Sequence, residues 1–427
     1  MKLSLKNIGK IKEATVEING ITVIAGENNT GKSTVGKVLY SIFNSFYNIN
    51  EQIHMERVQS VENLLDIMYS NTTNRLTSRV NTEEIAEVIL EHEVTYRSNV
   101  ERLKEEILKS ILQYDKNFEK YFKIDKIDEF IQRIVEILSV SNEDIFKTVL
   151  NKKLDSEFNG QVNNIFSEDL GEIDLQIKDQ LIAIEVMDNI VCKVDNRVDL
   201  RTEAIYLDDP FVLDEQRLMG FLRYSPYYLD HKMHLKSKLF VPPKEANVID
   251  EIIASNKFEK VYDKINSICS GDIVRNGRTN WGYKKANMDK VLDIRNISTG
   301  LKTFAILKTL LLNGAIESNG TIILDEPEIH LHPEWQLLFA ELIVLIQKEF
   351  GMHILLNTHS PYFLNAIEVY AAKYDIADKC KYYLAFTVDD SSYINDVTNN
   401  IEAIYSKLAR PLQTLENERY GDDLILS

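Results

Sequence analysis

Gly26-Glu27-Asn28-Asn29-Thr30-Gly31-Lys32-Ser33-Thr34 follows the apolar run Ile21–Ala25 and precedes a helical pattern through Val35, Val38, Leu39 and Ile42. These nine residues fit GxxxxGK[ST], and their flanks are the strand and the helix that such a loop requires. Glycines permit a tight turn whose backbone N–H groups, with the helix N-terminus, cradle phosphates. Gly26, Asn28, Asn29, Thr30, Gly31 and Thr34 would shape that cradle. Lys32 would reach the β- and γ-phosphates, and Ser33 would offer its hydroxyl to Mg2+. Upstream, the alternating residues from Met1 to Lys6 and the segment Val16–Ile18 read as strands, so the chain opens in an α/β manner. The loop alone leaves kinases, GTPases and ATPases all open.

Three further segments narrow the choice. Thr321-Ile322-Ile323-Leu324-Asp325-Glu326-Pro327 is a buried-strand run ending in two carboxylates, placed where α/β sheets bind their ligands. Asp325 suits a Mg2+ shell, and Glu326 suits a general base that polarises a water attacking a γ-phosphate in line. Ile297-Ser298-Thr299-Gly300-Leu301-Lys302 precedes an apolar helix through Phe304, Ile306, Leu307, Leu310 and Leu311. Ser298 or Thr299 can cap that helix, whose exposed N–H groups make an anion site. Ile354-Leu355-Leu356-Asn357-Thr358-His359-Ser360-Pro361 is another buried strand, and His359 at its end could donate to a phosphate or orient a water.

Together these residues resemble the ABC-type ATPases of the SMC, RecF and OLD (overcoming lysogenization defect) group. GENNTGKST resembles their Walker A, ISTG their LSGG-type signature, IILDEPE their Walker B with its catalytic Glu326, and NTHS their switch histidine, His359. The phrase Glu328-Ile329-His330-Leu331-His332-Pro333 is similar to the DEPExHLHP run of OLD-like and RecF-like ATPases. The resemblance covers the first 50 residues and about Leu292 to Glu368. It implies ATP and Mg2+ as cofactors, and a homodimer in which Ser298 and Gly300 of one subunit close on the ATP held by the other. A higher oligomer is compatible with it. The signature departs from LSGG in having Thr299 before Gly300. No Q-loop glutamine is assigned, Gln161, Gln176 and Gln180 being candidates only.

The resulting expectation is an α/β ABC-type P-loop ATPase head, a mixed sheet with a β-meander plus helices, formed by residues 1–50 and 160–427. Between them, residues 51–159 repeat apolar positions at helical spacing, as in Leu103, Ile107, Leu108, Ile111, Leu112 and Ile127, Phe130, Ile131, Ile134, Leu138. A packed helical block is expected there in preference to a coiled-coil arm, because no heptad is sustained. Alternating segments from Ile173 to Leu207 read as a meander with a turn at Asp195-Asn196, and Asn247–Ile268 reads as a helix. Ala204-Ile205-Tyr206-Leu207-Asp208-Asp209-Pro210 also ends in two acids, and is taken as a strand running out into a turn.

The chain has 427 residues, a formal charge of −17 and 44% apolar residues, which permits a large core and argues against broad attraction to nucleic acid or anionic membranes. A local basic set, Arg275, Arg278, Lys284, Lys285, Lys290 and Arg295 with Trp281 and Tyr283, is read as solvated loop, with a local DNA or partner contact as the alternative. Cys192, Cys269 and Cys380 lie far apart, so reducing cytoplasm is the expected location. The apolar run Leu337–Ile346 falls short of the roughly 20 residues a bilayer needs, and no membrane segment is expected. His330 and His332 lack an evident third ligand, as do His231 and His234, so no metal beyond Mg2+ is assigned.

Fewer than 60 residues follow Glu368, too few for the TOPRIM nuclease that follows the ATPase in full-length OLD proteins. The expected role is therefore a nucleotide-switched sensor or scaffold with a separate nuclease or toxin effector, resembling the ATPase subunits of antiphage systems such as Septu and PARIS. A RecF-like or SMC-like DNA repair ATPase is the alternative. A transporter subunit and a non-hydrolysing ATP clamp fit less well, the one for its fuller signature and the other because Glu326 and His359 are both present.

Overall fold

The computed structural model describes residues 1–73, 80–116, 118, 127–215, 229–240, 259–277, 280–285 and 288–421. They form two compact units, Met1–Tyr47 with Leu150–Ser427, and Asn48–Val149. The expected divisions stood at residues 50 and 159.

The larger unit is built on a sheet of eleven described strands in the order β6-β5-β4-β1-β2-β14-β13-β3-β12-β11-β7. Its ranges are β1 Lys2–Ile8, β2 Ile11–Glu17, β3 Ile21–Gly26, β4 Gly171–Ile177, β5 Gln180–Met187, β6 Ile190–Asp195 and β7 Ala204–Leu207. Further along come β11 Thr321–Asp325, β12 His353–Thr358, β13 Cys380–Val388 and β14 Ser391–Asp396. A separate small sheet holds β8 Gly271–Asn276, β9 Asn280–Lys285 and β10 Leu292–Asp293.

Burial separates two kinds of strand. In β3 and β11 every residue is buried, the pattern of parallel strands covered on both faces. In β4 burial alternates, as on an antiparallel sheet with one solvated face. The meander comprises β4, β5 and β6, joined antiparallel. Ala204–Leu207 does not belong to it. All four of its residues are buried, and β7 pairs parallel with β11 at the opposite edge of the sheet. The reason is physical: a short, wholly apolar run needs cover on both faces, which the parallel half of the sheet supplies.

Strands β3, β12, β11 and β7 run parallel, with Ala25 opposite Thr358, Asn357 opposite Asp325, and Leu324 opposite Leu207. Their C-terminal ends therefore converge at one edge. Helix Lys32–Phe46 follows β3, with Val35, Val38, Leu39 and Ile42 buried. The core also takes Phe304 and Leu310 from helix Thr299–Leu312, Phe339 and Ile343 from helix Pro333–Phe350, and Phe363 and Ile367 from helix Pro361–Lys373. No helix among the described residues is long and apolar enough to cross a membrane. The expected helix Asn247–Ile268 is helical over 259–268, while 247–258 lie outside the described residues.

The second unit is helical throughout its described elements, among them Ile49–Thr73, Thr82–Glu91, Val100–Tyr114 and Ile127–Ser139. Leu103, Ile107, Ile111, Ile131, Ile134 and Leu138 meet Val61, Leu65, Ile85 and Ile89 in one buried cluster, with Leu108, Leu112 and Phe130 packed around it. These helices share a core of their own. Asn81 and Asn99 start two of them by accepting backbone N–H bonds from Glu84 and Arg102.

Candidate functional site

The loop after β3 folds as its spacing predicts. Gly31 sits in the left-handed region at φ 80°, immediately before helix Lys32–Phe46, where a Cβ would also crowd Ile11 at 3.0 Å. Thr30 Oγ1 donates to Glu27 O at 2.8 Å and braces the turn from inside. The buried Lys32 ammonium donates to Gly26 O at 3.1 Å and Glu27 O at 2.8 Å. Asn28, Asn29 and Ser33 are exposed, and Thr34 is half-buried.

Strand β11 delivers Asp325 and Glu326 beside this loop. Asp325 is buried, with Oδ1 accepting from Asn357 Nδ2 at 2.9 Å and Oδ2 accepting from Tyr206 Oη at 2.7 Å. Glu326 takes a left-handed backbone, φ 50°, which is uncommon for a residue with a long side chain. Its N–H donates to Asn357 O at 2.9 Å, and that bond holds the turned conformation. The turn aims the carboxylate back at the loop, Oε1 lying 3.4 Å from Lys32 Nζ and 3.4 Å from His359 Nδ1. Both contacts are longer than a well-formed hydrogen bond. The contact with His359, opposed by partial burial and helped by the Lys32 charge, holds the Glu326 carboxyl below the usual carboxylate range. The same contact, again opposed by partial burial, raises His359.

Lys32, Asp325, Glu326 and His359 are thus brought together, although 327 positions separate the first from the last (359 minus 32). Ser298 and Gly300 are not joined to them by any hydrogen bond or ion pair among the described residues. Ser298 occupies the N-cap position of helix Thr299–Leu312 and is exposed; its side chain makes no capping bond. Gly300 is required by packing, since a Cβ there would lie 3.1 Å from both His330 O and the Trp335 ring. Gly300 thus packs against the DEPExHLHP segment at His330 and against the helix that follows it at Trp335.

Several residues outside the expected site set support the cluster. Glu328 is buried and accepts from Thr358 Oγ1 and from His359 N at 3.3 Å, so it ties the segment after β11 to the end of β12. Burial raises its pKa, against the hydrogen bonds it accepts. Ser360 Oγ donates to Gln336 Oε1 at 3.1 Å and accepts from Phe363 N at 3.2 Å, capping the next helix. Asp208, at the end of β7, lines a small cavity together with Glu326, Thr303 and His330. The sequence signal for Glu328 was its position in the resemblance. Tyr206 carried none, and Asp208 was marked only as one of two acids where a strand runs out into a turn.

The histidine pairs have local partners. His332 accepts from Glu334 N at 3.4 Å and starts helix Pro333–Phe350, while His330 packs edge-on to Phe211. His231 contacts Glu157 and Asp208, and His234 contacts Glu203. Gln176 and Gln180 lie in β4 and β5, separated from β3 by β1, β2, β14 and β13. Of the basic set, Arg278 lies outside the described residues. Arg275 stacks over Trp281, which also stacks on Phe240, and Arg295 forks onto Asp293. Tyr283 is buried, with its hydroxyl accepting from Gly271 N at 2.8 Å, so its ring is not presented to solvent.

Similarity to solved structures was found with SMC heads. The SmcHead bound to the C-winged helix domain of ScpA is similar at 12% identity and a TM-score of 0.44, over 94% of this chain and 98% of that one. The SMC head domain from Thermotoga maritima is similar at 12% identity and a TM-score of 0.36, over 93% and 98%. The Smc head domain with an extended coiled coil, bound to the C-terminal domain of ScpA derived from Pyrococcus furiosus, is similar at 12% identity and 0.34, over 98% of each chain. Residues 21–365, which span the loop after β3, both strand-end clusters and the helical unit between them, match the family described as "AAA domain, putative AbiEii toxin, Type IV TA system", and the chain belongs to that family.

Proposed function

We propose that this protein binds and hydrolyses ATP as an ABC-type switch, with two composite sites formed when two copies meet. The observation that carries the reading is the placement of Glu326 between Lys32 and His359, 3.4 Å from each, on a backbone turned to φ 50°. A carboxylate kept ionised beside a cationic phosphate ligand is the arrangement a hydrolytic base needs.

The loop N–H groups and Lys32 would hold the β- and γ-phosphates. Ser33 and Asp325 offer the hard oxygen ligands that suit Mg2+, and Asp325 keeps lone pairs beyond its two hydrogen bonds. Mg2+, when bound with ATP, neutralises charge on the phosphate oxygens. Glu326 orients and polarises the attacking water, and His359 steadies Glu326 while presenting a donor toward the γ-phosphate. Ser298 and Gly300 would approach the phosphates of a second copy, since Ser298 is exposed at the start of its helix and makes no bond to its own chain's cluster.

The family description names a putative AbiEii toxin and a Type IV TA system. We extend the reading to a cytoplasmic sensor or scaffold for a separate nuclease or toxin effector in antiphage defence, close to OLD-like, Septu and PARIS ATPases. A RecF-like or SMC-like repair ATPase, touching DNA locally, is the competing role. Glu326→Gln expressed in its own cell should trap the closed state: recovery of a nuclease-like or toxin-like protein with it supports the effector role, and recovery of DNA alone overturns it in favour of repair. Unchanged ATP turnover by Glu326→Gln would remove Glu326 from the role of hydrolytic base.

A further inference from the structure

Behind Asp325 lies a buried polar chain that the hydrolysis chemistry does not use. Tyr206, 1% exposed, donates its hydroxyl to Asp325 Oδ2 at 2.7 Å. Its ring stacks on the imidazole of His231, with centroids 4.5 Å apart and planes at 27°. His231 stands between two carboxylates, Nδ1 being 2.6 Å from Glu157 Oε2 and Nε2 being 3.0 Å from Asp208 Oδ2. Its backbone N–H also donates to Glu157 Oε1 at 2.8 Å, so Glu157 holds both the ring and the backbone of this residue.

We propose that Tyr206, backed by His231, is a positioning residue that fixes the Asp325 carboxylate for the divalent cation accompanying the nucleotide. The terminal torsion of an aspartate is broad and roughly two-fold, so one donor leaves the carboxylate free to rotate. Asn357 on Oδ1 and Tyr206 on Oδ2 together leave one orientation. His231 supplies a flat, fixed surface against which the phenol ring cannot swing. Loss of an outer-shell partner of this kind typically costs about 10- to 100-fold in metal affinity.

The inference rests on the nucleotide-binding reading above, and the experiment separates the two. Binding of a fluorescent ATP analogue to the full-length protein is measured first in EDTA. Mn2+ is then titrated into the protein saturated with a non-hydrolysable ATP analogue, and free Mn2+ is followed by electron paramagnetic resonance. Tyr206→Phe, which removes only the hydroxyl, should bind the analogue in EDTA like the parent and weaken Mn2+ affinity about tenfold. His231→Gln should move Mn2+ affinity in the same direction by less, and gives a second test if Tyr206→Phe folds poorly. Parental Mn2+ affinity in both variants, with only a lowered melting temperature, would make the chain structural and overturn the proposal. Failure of the parent protein to bind the analogue would instead sink the nucleotide reading, and this inference with it.

Discussion

Lys32 Nζ and Glu326 Oε1 lie 3.4 Å apart, joining the loop after β3 to the end of a strand almost 300 residues later in the chain. The pair places a carboxylate beside the cation that would hold a phosphate. Replacing Glu326 by Gln removes negative charge from the phosphate site while keeping its shape. Nucleotide affinity should hold or improve, and turnover should fall by about 10²- to 10⁴-fold, the usual weight of a general base. Fluorescent-nucleotide binding and phosphate release, measured on one preparation, test both halves of this prediction.

A composite site makes a separate demand on Ser298. Its side chain is exposed and bonds nothing in its own chain's cluster, so Ser298→Arg should leave nucleotide binding by the single subunit intact. Hydrolysis should be lost, because a bulky cation would block the approach of the second copy. Mixing Ser298→Arg with Lys32→Ala protein should restore part of the activity, since each mixed dimer keeps one whole site. No recovery in the mixture would argue for a site contained in one chain.

Glu328 is predicted to matter for stability as well as for turnover. Its buried carboxylate accepts from Thr358 and from His359 N, and Glu328→Ala would strand both donors. An unsatisfied buried group costs about 1–3 kcal/mol, so denaturant unfolding should show a loss of roughly that size or more. Glu328→Gln keeps an acceptor oxygen and should recover most of the stability. Equal losses in the two variants would mean that shape, not hydrogen bonding, holds the segment.

His231 provides the pH test. Burial disfavours its charged form, but its contacts with Asp208 and Glu157 outweigh that and lift its pKa to about 9. A group raised in the folded state contributes stability that is fully present below its unfolded value, about 6.5, and is lost as pH climbs through the folded value. The melting temperature of the parent should therefore exceed that of His231→Gln by the largest margin at about pH 6, and the margin should close on approaching pH 9. A margin that stays constant across this range would show that the imidazolium charge contributes nothing.

The loop from Gly26 to Thr34 was legible because its chemistry is local: glycine freedom, a preceding strand and a following helix all lie within about twenty residues. The apolar runs before Asp325 and before His359 were legible for the same reason, as each strand declares its own burial. Helical spacing also announced the block around Leu103 and Ile131 before any packing was known. Tyr206 was not legible. Four apolar residues at Ala204–Leu207 fit either an antiparallel meander or a parallel edge, and only pairing with β11 distinguishes them. The sequence by itself thus determined which short segments can hold phosphate, cation and base, because those properties depend on neighbours along the chain. The tertiary structure decided that Tyr206, Asn357 and Glu328 support them, because strand order and register bring together residues whose separation in sequence carries no signal.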